Sequence, residues 1–216
     1  MIAAGRVAVN GRIERNPEHP MPSTGTAGIT VDGVAVQPAV KHYLALNKPR
    51  GLVVSADDER GRATVYTLFN DPALPWLGPV GRLDKASEGL LLMTNDTLWA
   101  AGITEPSSSL PKTYHVQVAG QPTTGLVAQL TAGVDDRGQR LAAQQARLLR
   151  AGERNAWLEI VLDEGRNRHI RRLLDALGYE VLRLVRIAIG PVALGNLPKG
   201  GWRHLTAPEI AALRRD

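Results

Sequence analysis

Residues 81–96 read Gly-Arg-Leu-Asp-Lys-Ala-Ser-Glu-Gly-Leu-Leu-Leu-Met-Thr-Asn-Asp. The apolar run from Gly89 to Thr94 predicts a strand. After it, either Asn95 or Asp96 provides an N-cap side chain for a helix from Thr97 to Ile103. Glycines at both ends of the polar loop before the strand let the backbone turn sharply and let a ligand approach closely. The stretch therefore predicts a polar loop, a strand and a capped helix in succession.

The acid in that loop, Asp84, has several chemical uses. It follows Arg82 by two residues and lies between two predicted strands. A carboxylate in such a place acts as a nucleophile, as a general base, or only as a turn-forming residue. Because loop aspartates most often cap helices or form turns, the local pattern alone leaves all three roles open.

Segments on both sides of this stretch read mostly as short strands joined by turns. The alternation of apolar and polar residues over Lys112 to Val118 predicts a half-buried strand. The spacing of apolar residues over Arg168 to Leu177 predicts an amphipathic helix that Gly178 ends. Because strands outnumber helices and do not alternate strictly with them, the predicted class is α+β, with an antiparallel or mixed sheet and a few flanking helices. The other predicted strands are 43–46, 52–54, 77–81, 144–149, 156–162, 181–185 and 187–192, and the other predicted helices are 64–69, 123–131 and 208–214.

The first 40 residues read as a small separate unit. Asn10-Gly11 stands between alternating apolar residues, a pattern typical of a type I′ turn in a hairpin. Residues 16–28 are rich in Pro, Ser, Thr and Gly and predict a loop. A second strand over Ile29 to Val36 is broken by the turn signal Asp32-Gly33. A unit of this size buries little surface by itself.

Composition limits the classes of protein to which the chain can belong. With 216 residues and 44% hydrophobic content, the chain is long and apolar enough for a sizeable core. The absence of cysteine excludes disulfides and thiolate metal sites. The apolar run Leu90 to Met93 is far shorter than the roughly 20 residues that a membrane span requires. No signal peptide is recognisable, so the default expectation is a cytoplasmic monomer without a membrane role.

Positive charge is concentrated near the C-terminus. The formal net charge is +5, with 26 Lys and Arg against 21 Asp and Glu, which is compatible with a polyanionic partner. Several of these cations form either phosphate contacts or a solvated helix face, and the pattern does not separate the two. The clustered arginines are Arg166, Arg168, Arg171, Arg172, Arg183 and Arg186.

The string around Asp84 resembles the Gly-Arg-Leu-Asp signature of pseudouridine synthases, in the RsuA family with its RluB and RluE types. Further blocks follow in the order of that family over residues 43–207. The resemblance implies an α+β fold with a mixed, largely antiparallel sheet, flanking helices and a central active-site cleft in a catalytic domain of residues 43–216. The matching blocks are Lys48–Gly51, Lys112–Tyr114, Glu164–Arg172, Arg183–Arg186, Ile189–Pro191 and Leu197–Arg203.

The resemblance also implies a reaction and three catalytic residues. Uracil is detached from its ribose, turned, and rejoined through a ring carbon, with no cofactor and no metal. Asp84 matches the nucleophile, and attack on either the anomeric carbon or the ring stays open. Tyr114 matches a tyrosine that stacks on the displaced base. Arg171 matches the arginine that pairs with the nucleophile and favours its charged form.

A second group of residues is implied to bind the substrate. Arg82 matches the residue that enters the RNA and helps to displace the target base. Leu184 matches an apolar residue under the base, and Lys112 has at most a supporting role. Phosphate contacts or a solvated face are the alternatives for three further arginines. These are Arg166, Arg168 and Arg172.

The expected partner is ribosomal RNA. The large-subunit 23S RNA is favoured, and the alternatives are 16S RNA as the substrate or an inactive RNA-binding or ribosome-assembly protein. Residues 1–40 resemble the later half of an alpha-L RNA-binding module like that of a ribosomal protein. Gly5–Gly11 is its recognisable part, and two helices that precede this run in the family have no counterpart here.

Overall fold

The computed structural model describes residues 1–20, 28–37, 39–56, 58, 60–105, 108–163, 166 and 168–214. Contacts divide the chain into two compact units, Met1–Lys41 and His42–Asp216. In the described ranges, no helix is both long enough and apolar enough to cross a membrane.

The first unit is a small antiparallel sheet. Its strands are β1 (Val7–Val9), β2 (Arg12–Glu14), β3 (Ile29–Val31) and β4 (Val34–Ala35), in the order β2-β1-β3-β4. The turn residues Asn10 and Gly11 have φ angles of 50° and 77°, which confirms the predicted type I′ turn. The Asp32-Gly33 turn is likewise confirmed, since it joins β3 to β4. The predicted loop 16–28 lies mostly outside the described residues.

The second unit contains a large mixed sheet. Its strands are β5 (Tyr43–Lys48), β6 (Gly78–Val80), β7 (Glu88–Thr94), β8 (Lys112–Ala119), β11 (Gln145–Ala151), β12 (Asn155–Leu162), β13 (Val181–Ile189), β14 (Val192–Ala193) and β15 (Trp202–His204). Among the described residues the order is β11-β12-β8-β13-β7-β5-β15, with β14 beside β13 and β6 beside β7. The β7–β13 pair is parallel and the others are antiparallel, as the predicted mixed, largely antiparallel sheet requires.

Helices cover parts of both faces of this sheet. They are α1 (Thr97–Thr104), α2 (Leu126–Ala132), α3 (His169–Ala176) and α4 (Ala207–Leu213). Asp96 caps α1 by accepting from the Trp99 amide, so the second of the two predicted caps is the one used. Gly178 ends α3 in a left-handed conformation, and the Tyr179 amide donates to the Leu174 carbonyl as in a Schellman motif.

Three apolar clusters form the core. One lies between β8, β12, α2 and α3, and a second packs α1 and α4 against β7. On the other face of β7, Leu91 and Met93 pack with residues around the short 3₁₀ helix Val65–Leu68. Every residue of β7 is buried because the strand is covered on both faces, which explains the apolar run Gly89–Met93 at its centre.

Several predicted elements differ from those observed. The strand predicted over 52–54 is absent in these described residues, where Val53 makes only an isolated bridge with Thr64. The strands predicted over 181–185 and 187–192 are mostly one continuous strand, β13. Arg186 does not interrupt it, because its buried side chain finds backbone acceptors. The hairpin of β9 (Val134–Asp136) and β10 (Gln139–Leu141), and the strand β15, were not predicted.

Candidate active site

A cleft of about 680 Å³ brings together most of the residues singled out in the sequence. The loop before β7 contributes one wall, β8 and β13 contribute the sheet side, and the chain before α3 contributes another wall. Arg171 and Arg172 do not line it. The predicted residues that line the cleft are Arg82, Asp84, Lys112, Tyr114, Arg166, Arg168 and Leu184.

A buried lysine holds the loop that carries Asp84. The Nζ atom of Lys48 donates to the carbonyl oxygens of Pro49, Asp84 and Ser87 at 3.1, 3.3 and 2.9 Å. The Lys48 side chain is fully buried at the end of β5. In addition, the Ser87 amide donates to the Asp84 carbonyl at 2.9 Å. These hydrogen bonds therefore fix the backbone of Asp84, while its half-buried side chain lines the cleft.

The ammonium of Lys48 makes stability depend on pH. Burial lowers the pKa of Lys48 to about 8, against the opposing attraction of Glu88 and Asp84. The folded protein therefore loses this proton at lower pH than the unfolded chain does, and the Lys48 contribution to stability rises as the pH increases from about 8 towards 10.4.

Lys48→Met should remove this pH dependence of stability and the ammonium donor that three carbonyls share, of which the Asp84 carbonyl keeps only the Ser87 amide. We expect the variant to be less stable than the parent by about 1–3 kcal/mol at pH 7. Because only the parent gains from deprotonation, this difference should grow by about 1–2 kcal/mol at pH 9.5. Urea unfolding of both proteins at the two pH values measures it. If the stability difference between the parent and the variant shrank as the pH rises, the ammonium of Lys48 would not have the lowered pKa described above.

Tyr114 and Leu184 lie on adjacent strands beside the cleft. Tyr114 on β8 is paired with Arg186 on β13, and Leu184 precedes Arg186 by two residues on the same strand face. Leu184 is 6% exposed, whereas Tyr114 is half-buried. An aromatic ring and an apolar side chain on neighbouring strands provide two surfaces between which a flat base can lie.

Arg171 lies behind the Asp84 loop. Its Nη2 atom donates to the Ala86 carbonyl at 3.4 Å and its Nη1 atom to the Val181 carbonyl at 3.3 Å. Burial lowers its pKa and Arg168 lowers it further, while the attraction of the Asp84 carboxylate acts in the opposite direction. Arg171 therefore interacts electrostatically with Asp84. Among the described ion pairs there is no direct salt bridge between Arg171 and Asp84.

The arginines predicted to contact phosphate divide into two groups. Arg166 and Arg168 are exposed at the cleft. Arg172 instead makes a salt bridge through its Nε atom to Asp136 in β9, and its Nη1 atom donates to Gln139 at 3.0 Å. In this structure the guanidinium of Arg172 connects α3 to the β9–β10 hairpin.

Sequence reasoning missed two buried cations next to Asp84. Both residues were included in matching blocks, and Arg186 was also counted in the basic patch, but neither received a role of its own. Lys48 ends an apolar strand and Arg186 stands between apolar residues of another. An isolated cation in an apolar strand was the signal that could have identified both.

Comparison with known proteins agrees with this geometry. A family model described as RNA pseudouridylate synthase matches residues 42–176. An RNA pseudouridine synthase of Aquifex aeolicus is 38% identical over 221 residues, which cover 99% of this chain and 85% of the relative. Ribosomal large subunit pseudouridine synthase B of Bacillus subtilis is 35% identical over 217 residues, covering 99% and 87%. A crystal structure of a pseudouridylate synthase superimposes with a TM-score of 0.72 at 32% identity, covering 99% of this chain and 90% of that one.

The family match, together with the fold shared with a solved relative, identifies an isomerase that acts on RNA. The chain belongs to the RNA pseudouridine synthase family, in the RsuA branch that the sequence blocks resemble.

Proposed function

We propose that this enzyme converts a specific uridine of 23S ribosomal RNA to pseudouridine, with Asp84 as the nucleophile and the target base flipped out into the cleft. The observation on which this depends most is the position of Asp84, on a braced loop at a cleft that also contains Tyr114 and Leu184. The large-subunit substrate is supported by the name of the Bacillus subtilis relative, which matches almost the whole chain.

The chemistry requires a carboxylate that forms a bond and later leaves. Asp84 attacks the nucleotide at its anomeric carbon or at the uracil ring, and the bond between N1 and the ribose breaks. The uracil turns, its C5 atom bonds to the ribose, the Asp84 bond breaks, and the proton on C5 is exchanged for one on N1. Atoms and electrons balance within the nucleotide, as an isomerisation requires.

The other residues of the cleft hold the base and the charge. Tyr114 stacks on the flipped uracil, and its hydroxyl lies near the C5 proton. Leu184 forms the apolar surface on which the base rests. Arg171 favours the charged form of Asp84 through the interaction described above, although hydrogen bonds to Ala86 and Val181 hold its guanidinium. Lys112 supports this arrangement from the start of β8.

RNA contacts are proposed for the exposed cations at the cleft. Arg82 enters the RNA stem and occupies the space that the flipped base leaves, since extrusion costs a few kcal/mol without such help. Arg166 and Arg168 contact phosphates. Residues 1–40 are proposed to act as an RNA-binding module of the alpha-L type, joined to the catalytic domain 43–216, in a monomeric enzyme of the cytoplasm.

Unmodified transcripts of 23S and 16S RNA test the substrate. We expect the enzyme to produce one carbodiimide-dependent reverse-transcription stop in the 23S transcript and none in the 16S transcript. A stop in the 16S transcript alone would establish the small-subunit alternative. RNA binding without any stop in either transcript would favour an inactive RNA-binding protein over the proposed enzyme.

A further inference from the structure

Arg186 is a buried cation of the cleft to which the proposed mechanism gives no role. It is 6% exposed, it lies on β13, and it lines the same cleft as Asp84. Among the described residues it makes no salt bridge with a carboxylate, and its guanidinium donates to backbone carbonyls. Burying a guanidinium without a carboxylate costs free energy, so these backbone contacts need an explanation.

The two contacts lie at the two ends of the segment that carries Asp84. The Nε atom of Arg186 donates to the Leu90 carbonyl at 2.7 Å, and its Nη1 atom approaches the Arg82 carbonyl at 3.5 Å. One planar group thus contacts both the residue two positions before Asp84 and the third residue of β7. Because a guanidinium is rigid, it sets the distance between these two carbonyls.

The backbone of Arg186 lies where three strands meet. It is paired with Gly89 in the parallel β7–β13 ladder and with Tyr114 in the antiparallel β8–β13 ladder. Leu184 is two residues away on the same face of β13. The side chain of Arg186 therefore connects the Asp84 loop to the strands that carry Tyr114 and Leu184.

We propose that Arg186 is a positioning residue that holds the Arg82–Leu90 segment at a fixed distance from Tyr114 and Leu184, a role that rests on the proposed function. It keeps the nucleophile aligned with a base that lies on β8 and β13. Lys48 donates to the carbonyls of Asp84 and Ser87 in the middle of the same segment. Arg186 therefore holds the two ends of the segment and Lys48 holds its middle. Arg186→Lys keeps the charge but replaces the two separate donor atoms of the guanidinium, Nε and Nη1, with one nitrogen, so it does not reproduce the spacing of the two contacts.

The kinetic test compares Arg186→Gln, Arg186→Lys and the control Arg203→Gln. The control removes a partly buried arginine of β15 that pairs with Glu209 and does not line the cleft. Single-turnover rates and binding are measured on the unmodified 23S transcript. We expect Arg186→Gln to lower the rate at least about 100-fold with affinity for the transcript changed less than about threefold, because misplacement by an ångström costs that much. Arg186→Lys should recover part of the rate, and the control should react like the parent.

Hydrogen exchange of the backbone amides tests the same role without a measurement of enzyme activity. In Arg186→Gln, amides of the segment 82–90 should exchange faster than in the parent, whereas Arg203→Gln should accelerate exchange near the start of α4 instead. A folded Arg186→Gln enzyme with parental rate, or with unchanged exchange over 82–90, would overturn the proposal. If the parent forms no pseudouridine, the proposed function fails and exchange alone decides the role of Arg186.

Discussion

Asp84→Asn should fold and bind the 23S transcript as the parent does and form no detectable pseudouridine. The amide has the shape of the carboxylate but neither its charge nor its nucleophilicity, so the covalent bond to the nucleotide cannot form. Loss of a nucleophile that works together with its neighbours lowers a rate by about 10,000-fold or more. The loop should keep its conformation, since the bonds from Lys48 and from the Ser87 amide go to the backbone of Asp84 and not to its side chain.

Asp163→Asn is the matched control, because Asp163 is a second acid at the same cleft without an assigned role. We expect its single-turnover rate to fall by less than about tenfold, as for the loss of a nearby charge. Both variants are assayed under saturating enzyme, with circular dichroism and filter binding to confirm folding and RNA affinity. Equal product from Asp84→Asn and the parent would remove Asp84 from the role of nucleophile.

The elements that the sequence predicted well are those whose signals are local. The strand β7 is an apolar run, α1 has its cap at Asp96, and α3 has its amphipathic spacing and Gly178. Each of these depends on residues within a few positions of one another, so periodicity and capping patterns are sufficient to find them.

The elements that were missed depend on contacts distant in the chain. The β9–β10 hairpin turns at Arg137-Gly138, with φ of 53° and 75°, where a turn search favours Asn or Asp before Gly. Its short strands are largely polar. They are held by the ion pair of Arg172 with Asp136 and by the packing of Leu141 and Val134 into the core, without an extended apolar alternation. The continuity of β13 was likewise hidden, because Arg186 finds its acceptor at Leu90, 96 residues earlier in the chain.

The difference between local signals and contacts distant in the chain also explains which parts of the site could be predicted. The family resemblance identified Asp84, Tyr114 and Leu184, and the structure places them at one cleft. The resemblance could not show that Lys48 donates to the backbone carbonyl of Asp84, since that hydrogen bond joins positions 36 residues apart. Nor could it show that Arg171 donates to the carbonyls of Ala86 and Val181, with no direct salt bridge to Asp84 among the described residues.

At neutral pH, Gly89→Ala should destabilise the second unit more than any other single substitution considered. Gly89 has φ of +100°, and a Cβ atom there would lie 2.2 Å from the carbonyl oxygen and 2.8 Å from the amide nitrogen of Arg186. Both are backbone atoms of β13, so no side-chain rotation relieves the clash. Separating β7 from β13 should lower the free energy of unfolding by roughly 3–5 kcal/mol, a large share of the 5–15 kcal/mol that is typical of a domain.

Gly120→Ala is the control that measures the cost of an unfavourable backbone conformation without a steric clash. Gly120 also has a left-handed φ, +75°, but no atom lies within 4 Å of the position of its Cβ. Its substitution should therefore cost only the conformational strain of about 1–2 kcal/mol. Urea unfolding of the parent and both variants gives the comparison. Equal losses for the two alanines would show that the contact between Gly89 and Arg186 is not close, and β7 would then be free to shift against the strand that carries Leu184.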